Sequence, residues 1–475
     1  MGKRLGLLLV AVILITTGLK AQQNDRIVEI NLEQAIEMAL ANNPQINRAL
    51  LAIDDADELV KIANAEVFPE ITSSINYTRN IEVPVQFLPA EIFGGQPGTL
   101  TPVQFGTDNN WQGGFSVSQN LFKGEALIAI KSSAVYKKVQ EEAYRSTSQQ
   151  VITQTRIAYY AVLAAQEQRR LADAQIRRLE TNLKENKARA EAGIVDDYSV
   201  LQIQVQLSNQ KPQQIEARYA VDEAYRSLKV AIGVPISFNF SVKGNLNEFD
   251  ILTEDVNDPL NGNIKKIDKM TPFSFGTINI DSAALADSRG DVRITEAQLQ
   301  LKEKEIIAVK SRFLPTLTAS YNLQWTAAEP DEPTFFENSA RYQTFGLNLS
   351  LPLFSGFSRM AELDRAKIQY KDIDEQKRMA ILMAQNEVAS AEEELNKIFE
   401  TASARKQALA QANTGYDRAK KRLESGLGSQ LELTEAEIQV REAEVNYAIM
   451  VFNYLTAKAN YDLATGMVPF VDTTN

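Results

Sequence analysis

Two glycines end long helical stretches in this chain. Gly193 follows residues 125–192, which contain no glycine or proline, and Gly426 follows a similar stretch that is interrupted only by Gly415. At 1.5 Å per residue, each stretch predicts a helix of about 100 Å, far longer than the helices of ordinary globular domains. Apolar residues spaced seven apart in the first stretch indicate a coiled-coil seam: Val151, Ala158, Ala165, Ala172 and Leu179.

The residues around each glycine predict a helical hairpin tip. Glycine suits the left-handed position just past a helix end, and the basic residues Lys420, Lys421 and Arg422 complement the negative end of the helix dipole. Ser429 with Glu432 fits a capping box that would start the next helix. Before the other returning helix, Asp196 and Asp197 are explained by the same need for a cap.

The two tips belong to a longer internal repeat. The spacing from Gly193 to Gly426 equals the spacing from Gly233 to Gly466, where the returning helices are predicted to end. This agreement predicts one architecture built twice. The predicted divisions are a signal peptide at 1–21, a first repeat at 22–240, a linking segment at 241–280 and a second repeat at 281–475.

Each repeat also carries two strands with alternating side chains. The four segments 71–78, 115–121, 317–325 and 345–351 place apolar residues on one face and Ser, Thr, Asn or Gln on the other. They predict strand hairpins at about 69–122 and 315–354, and residues 80–112, rich in Pro and Gly, are expected to form an irregular loop.

Shorter helices are expected before each strand hairpin. Residues 27–68 predict a helix that is capped at Asn31 and broken before Pro44. Residues 281–288 predict another short helix. The segment 236–280 reads as a link with a small local structure.

Composition restricts the chemistry available to the chain. It has no Cys and no His, which excludes disulfides, thiolate and imidazole metal ligands and the commonest general base. We therefore expect no enzyme activity, no cofactor and no metal site. The net charge of −11 disfavours nucleic acid as a partner.

The N-terminal segment indicates export. A basic start, an apolar run from Leu5 to Thr17 and a small residue, Ala21, before a polar segment predict a cleaved signal peptide. Since no other segment is apolar enough to span a bilayer as a helix, membrane insertion would have to use strands.

With these features in place, the chain resembles the TolC family of outer-membrane efflux proteins. The resemblance covers nearly the whole mature chain and rests on the order helix, strand, strand, long helix, glycine turn, helix, found twice. Short sequence motifs at corresponding positions support it. They are Asn43-Pro44, Phe68-Pro69, Leu314-Pro315, the Leu-Phe-x-Gly junctions ending at Gly124 and Gly356, and the two tip glycines.

The resemblance implies a membrane α+β fold. Three chains with four strands each would form a 12-stranded outer-membrane β-barrel, continued by an α-helical coiled-coil tunnel through the periplasm. The implied partners are two further copies in a homotrimer, a periplasmic adaptor protein, an inner-membrane transporter of the RND or ABC type, and outer-membrane lipid.

The resemblance also implies roles for the tips. They would form the closed periplasmic end and dock the adaptor through Gly193, Ile194, Gly426, Leu427 and Gly428. Counted from the tip glycine, Glu432 and Glu435 match positions of acidic gate residues, so a trimer would present two rings of three carboxylates. The alternative is that Glu432 only completes the capping box and Glu435 is a solvated acid.

One position departs from the family pattern. The basic residue that helps to latch the tip in the best-known member falls here on Gly428. A latch would then be absent or built differently, with Arg422 or Lys421 as candidates.

Three functions fit these features. The leading hypothesis is a passive exit duct for small toxic solutes or drugs, driven by an inner-membrane pump. A duct for type I protein secretion has the same fold. A periplasmic coiled-coil protein without a pore is the third, and the four alternating strands argue against it.

Overall fold

The structure is a computed structural model that describes residues 28–249, 288–330, 332–336 and 339–468. The predicted signal peptide lies outside the described residues. The same holds for residues 250–280 of the predicted linking segment and for all but the last residue of the predicted helix at 281–288.

Seven α-helices account for most of the described chain. They are α1 (Leu32–Asn42), α2 (Pro44–Ala65), α3 (Gly124–Glu191), α4 (Asp197–Ala231), α5 (Gly290–Ser311), α6 (Ser358–Glu424) and α7 (Gln430–Ala464). The 68 residues of α3 and the 67 of α6 each correspond to about 100 Å of helix, which confirms the predicted lengths. Among the described residues, no helix has the length and apolarity needed to cross a membrane.

The described strands form one large sheet and two small ones. They are β1 (Val28–Ile30), β2 (Glu70–Arg79), β3 (Val85–Pro89), β4 (Leu100–Gln104), β5 (Asn109–Phe122), β6 (Phe240–Val242), β7 (Thr316–Glu329) and β8 (Ser339–Ser350). The large sheet is antiparallel with the order β2-β5-β7-β8. In the described chain, β2 pairs only with β5 and β8 pairs only with β7.

The register of this sheet keeps apolar and polar residues on separate faces. One row across the four strands is Ile71, Val117, Tyr321 and Phe345. The adjacent row is Thr72, Ser116, Asn322 and Thr344. In the polar row, the Ser116 hydroxyl donates to Asn322 Oδ1 at 2.7 Å. The predicted alternation is confirmed, and the apolar face is exposed in the single chain, with Ile71 69% and Phe345 71% accessible.

Two predictions from the sequence are wrong in detail. The helix expected from residue 27 begins only at Leu32, because Val28–Ile30 is a strand paired in parallel with β6. The Val-Glu-Ile sequence has the alternation and β-branching of a strand, and Ile30 is buried. The Asn31 cap is confirmed, since Asn31 and Gln34 form a full capping box.

The second correction concerns the expected loop at 80–112. It contains a hairpin of β3 and β4, closed through a short 3-10 helix, and β5 already begins at Asn109. The sequence predicted a loop here because the segment is rich in proline, which is uncommon inside strands. A two-stranded hairpin tolerates proline because each strand leaves one side without ladder hydrogen bonds.

The described residues divide into two compact units. The first combines residues 28–44, 151–249 and 392–460, and the second combines 45–150, 288–391 and 461–468. In the first unit, the end of α4 packs on the break between α1 and α2, and Asn43 Nδ2 donates to the carbonyl of Ala231 at 2.8 Å. In the second unit, Arg289 Nη1 donates to the carbonyl of Ala464 at the end of α7, at 3.2 Å.

The glycine at each of these junctions is fixed by two constraints. Gly233 and Gly466 both have φ of +73°. A Cβ atom on Gly233 would lie 2.6 Å from the backbone of Asn42, and one on Gly466 would lie 2.6 Å from the backbone of Ser288. Both turns therefore need a residue without a side chain.

This geometry predicts that Gly233→Ala destabilises the protein more than Gly426→Ala. Both glycines have left-handed backbones, which cost a residue with a side chain about 1 to 2 kcal/mol. Gly426 has open space around it, whereas alanine at 233 would add an overpacking cost of roughly 1 to 3 kcal/mol. Thermal unfolding of the purified protein in detergent measures the difference, and equal melting temperatures would contradict it.

Candidate functional site

The two hairpin tips have the same backbone geometry. Gly193 and Gly426 have φ of +71° and +75°. The following residues, Ile194 and Leu427, donate their amides to the carbonyls of Arg189 and Arg422, both at 2.8 Å. This is the Schellman pattern of helix ends, and it confirms the predicted role of both glycines in ending a helix.

Each tip presents one large apolar side chain to solvent. Ile194 is 72% exposed and Leu427 is 74% exposed. A Cβ atom on either tip glycine would meet no atom within 4 Å. The tips are therefore free surfaces in the single chain.

The second tip is held by an arginine. Arg422 Nη2 donates to the carbonyl of Leu427 at 3.0 Å, and Arg422 Nε lies 3.5 Å from Glu432 Oε2 across the turn. Ser429 caps α7 by accepting the amide of Glu432 at 3.2 Å. The reciprocal half of the predicted capping box is not formed, because the Glu432 carboxylate faces Arg422 instead.

Gly428 occupies the position at which the family resemblance predicts a basic residue that latches the tip. A Cβ atom there would lie 3.0 Å from Arg422 Cβ and 3.0 Å from the Leu423 amide. Of the two candidates named from sequence, Arg422 makes the contacts described above, and both side chains are exposed.

Helix α7 has two different faces beyond this tip. Its exposed face is a polar stripe with residues three or four apart: Glu432, Glu435, Gln439, Glu442 and Asn446. The opposite face is buried and includes Leu433 and Val440. Glu432 and Glu435 thus share one solvent-facing side of the helix, as their spacing predicts. From Glu432 to Asn446, every exposed side chain of the helix is polar.

Sequence reasoning missed Glu437, a buried acid on the inner face of α7. It is 1% exposed, and its Oε1 accepts from Asn182 Nδ2 on α3 at 2.7 Å. Its Oε2 has no hydrogen-bond partner among the described residues. Burial raises the pKa of Glu437, opposed by the Asn182 hydrogen bond and by the charge of Arg178. The sequence does contain a signal for this burial. The spacing of Leu433, Glu437 and Val440 places the acid between two apolar residues on one helix face.

The first tip continues into α4 through an acidic cap. Asp196 Oδ1 accepts from the Ser199 hydroxyl at 2.8 Å and from the Ser199 amide at 3.0 Å. These two bonds, the hydroxyl first, lower the pKa of Asp196. The predicted capping role of Asp196 is confirmed, and Asp197 lies in the first turn of α4.

Comparison with known proteins identifies the family. Residues 35–234 and 282–467 match the profile of the family described as outer membrane efflux protein. The chain belongs to this family. The matched ranges include the sheet, both long helices and both tips, and the predicted resemblance to TolC-family channels is confirmed.

Relatives with different cargo resemble the chain to a similar extent. The alkaline protease secretion protein AprF of Pseudomonas aeruginosa is 24% identical, over 93% of this chain and 86% of its own length. The probable efflux pump outer membrane protein TtgC of Pseudomonas putida is 23% identical, over 92% and 82%. The crystal structure of the MtrE outer membrane channel of Neisseria gonorrhoeae has a TM-score of 0.70 at 17% identity, covering 94% of this chain and 91% of that one.

Family membership places the protein in the outer membrane of a Gram-negative bacterium, with a large periplasmic portion. Members of this family are channels rather than enzymes. The structure neighbours combine a barrel with a helical tunnel, which agrees with the sheet and the long helices described here.

The buried acid predicts an unusual pH dependence of stability. Because the pKa of Glu437 is raised above its ordinary value of 4.5, the folded state binds more protons than the unfolded state between the two pKa values. Stability therefore falls as the pH rises through that interval. Glu437→Gln keeps the acceptor for Asn182 without the buried charge, so it should unfold at a higher temperature than wild type at pH 7.5 and lose that advantage near pH 4.

Glu435→Gln is the matched control for this prediction, since Glu435 is exposed on the same helix. It should follow the wild-type curve of melting temperature against pH. An identical curve for Glu437→Gln would show that the buried carboxylate does not affect stability.

Proposed function

We propose that this protein is the outer-membrane component of a tripartite efflux system. It serves as a passive exit duct for small toxic solutes or drugs, and an inner-membrane pump of the RND or ABC type supplies the energy. The observation that carries this proposal is the four-stranded sheet with one apolar and one polar face, in a chain of the outer membrane efflux protein family.

The duct requires more than one chain. Four strands are too few to close a barrel, since about eight is the smallest number in membranes. Three copies would supply twelve strands, with β2 of one copy beside β8 of the next. The apolar row that includes Ile71 and Phe345 then faces lipid, and the polar row that includes Ser116 and Asn322 faces water.

The hairpin tips are the proposed docking site for a periplasmic adaptor. In this arrangement the repeats at 22–240 and 281–475 each contribute one tip, so a trimer has six. Ile194 and Leu427, with Gly193, Gly426 and Gly428 beside them, offer exposed apolar contacts on rigid turns. Apolar side chains that lose contact with water on docking contribute about 25 cal/mol for each Å² of apolar surface buried.

The polar stripe of α7 is the proposed lining of the channel mouth. Its exposed polar face suits a wet lumen, and three-fold symmetry would turn Glu432 and Glu435 into rings that attract cations. The negative charge of Glu432 is partly balanced by the neighbouring Arg422. Glu435 is therefore the stronger candidate of the two.

Protein secretion is the second candidate function. The specific observation in its favour is the match to AprF, which is named as a protease secretion protein and aligns over 93% of this chain. A pore-less coiled-coil protein is a weaker alternative, because it leaves the two-faced sheet without a role. Catalysis is not part of the proposal.

Single-channel recording tests the duct and its gate together. The purified protein should form ion-conducting pores in planar bilayers, and divalent cations added on the tip side should block them. Glu435→Gln should weaken this block at least tenfold, because the substitution neutralises three carboxylates in a trimer and each removes about 1 kcal/mol of attraction per cation charge at contact distance in water.

Glu37→Gln is the control, since Glu37 is exposed on α1 and lies outside the polar stripe of α7. Its block should equal that of wild type. Pores with unchanged block in Glu435→Gln would remove the ring hypothesis, and the absence of any conductance would contradict the duct.

Substitutions at the tips test docking and cargo. Ile194→Ser with Leu427→Ser should abolish pump-dependent export while leaving the amount of protein in the outer membrane unchanged, because both side chains are exposed and support no core. Retention of a dye such as ethidium would support solute efflux. Loss of secreted protein from the medium, without dye retention, would favour the secretion alternative, and normal export of both would contradict docking at the tips.

A further inference from the structure

The apolar face of the four-stranded sheet carries two arginines near one end. Arg79 is the last residue of β2 and lies on the same face as Ile75, and Arg341, near the start of β8, is the register partner of Trp325. Both arginines are exposed. They therefore lie on the side of the sheet that faces lipid in the proposed barrel.

These two arginines are the only cations of the strands and their connecting loops. Within residues 70–122 and 316–350, every other charged residue is acidic. Glu329, in the same row as Arg79, is only 2% exposed. Neither arginine forms an ion pair or a side-chain hydrogen bond with the part of the chain that the structure describes. A cation on a lipid-facing surface is costly unless an anion pairs with it, so an anion from outside the protein is expected here.

The arginines lie at the end of the sheet that is away from the helices. Helix α2 precedes β2, α3 follows β5, α5 precedes β7 and α6 follows β8, so all four junctions with helices are at the opposite end. The loops 80–108 and 330–338 are at the same end as the arginines. With the helices in the periplasm, this end of the sheet faces the outer leaflet of the outer membrane.

Aromatic side chains mark the level of the membrane surface at this end. Both tryptophans of the chain, Trp111 and Trp325, lie here on the apolar face. The ring of Tyr77 is 4.5 Å from that of Trp111, and the ring of Phe335, from the loop after β7, is 4.9 Å from it. Belts of Trp and Tyr lie at the headgroup level of membranes. The arginines are thus at the level of lipid phosphate groups.

The length of β8 agrees with this level. From Leu349 to Arg341 a strand tilted by about 40° rises roughly 20 Å, and the apolar band of outer-membrane barrels is about 25 Å tall. Arg341 therefore lies near the outer edge of this band. Its long side chain can place the guanidinium group in the headgroup layer while its stem stays on apolar surface.

We propose that Arg79 and Arg341 bind the phosphate groups of lipid A, the phosphorylated glycolipid of the outer leaflet. The proposal rests on the trimeric barrel of the proposed function and names the lipid that its outer face binds. A guanidinium group donates two parallel hydrogen bonds to a phosphate and stays charged at any physiological pH. Arginine therefore suits this ligand better than lysine does.

The two arginines belong to the two edge strands of the sheet, β2 and β8. In the proposed barrel, β2 of one copy lies beside β8 of the next. Arg79 of one copy and Arg341 of the next copy then flank the same boundary between copies. A trimer would have three such boundaries, each with two arginines for lipid phosphate.

Native mass spectrometry of the trimer in detergent tests the site with diphosphoryl lipid A and with the same lipid after removal of its phosphates. Wild type should prefer the phosphorylated form. Arg79→Gln with Arg341→Gln should weaken binding of that form roughly tenfold or more, because the charge-assisted hydrogen bonds to phosphate are lost, and should bind both forms equally. Arg79→Lys with Arg341→Lys keeps the charges without the planar fork and should bind with intermediate affinity.

Arg378→Gln is the matched control. Arg378 is exposed and lies roughly 30 Å along α6 from the first residue of that helix. The variant therefore loses the same charge outside the strands and should bind lipid A as wild type does. The substitutions at Arg79 and Arg341 should leave trimer formation and conductance unchanged, since neither side chain is buried.

The outcomes separate this site from the duct. Equal binding of the two lipid forms by wild type, or an equal loss in Arg378→Gln, would overturn the phosphate site and leave the duct intact. Displacement of lipid A by inorganic phosphate would overturn the lipid as the ligand and assign the arginines to a free anion. A protein that is monomeric and non-conducting before any substitution would contradict the proposed function, and the site at the boundary with it.

Discussion

Every backbone amide of a strand inside a bilayer needs a hydrogen-bond partner, and the four-stranded sheet cannot supply all of them from one chain. In the described residues, β2 and β8 are the two edges of the sheet, each paired on one side only. The side chains alone would allow a soluble sandwich with one packed face. Membership of the outer membrane efflux protein family places the chain in the outer membrane. In the proposed duct, other copies of the chain would pair with the two open edges and complete the sheet.

The long helices also depend on neighbouring elements, but through the burial of apolar side chains rather than through backbone hydrogen bonds. Helices of about 100 Å cannot bury their apolar residues against a compact core, so they depend on one another along their length. In the first unit, the inner faces of α3 and α7 meet through Asn182 and Glu437. Helix α4 still exposes apolar side chains along one face, among them Leu201, Val205 and Tyr219. Both the sheet and the helices thus leave unsatisfied surfaces that a symmetric assembly would cover.

Local sequence signals predicted the features that depend on local physics. The tip glycines were found because only glycine adopts the left-handed turn readily, and the strand faces were found because alternation has a period of two. The predictions failed where tertiary contacts decide. Residues 28–30 became a strand because β6, which is distant in the sequence, pairs with them. Glu437 is buried because its neighbours lie on α3, and the Glu432 carboxylate turned to Arg422 because the hairpin brings them together.

The central claim is that the sheet is completed by other copies of the same chain. Electron cryo-microscopy of the purified protein in detergent tests it most directly. The map should show a closed barrel of twelve strands with three-fold symmetry, in which β2 of each copy is hydrogen-bonded to β8 of the next. A single chain with an open four-stranded sheet, or a barrel closed by a different protein, would contradict the account.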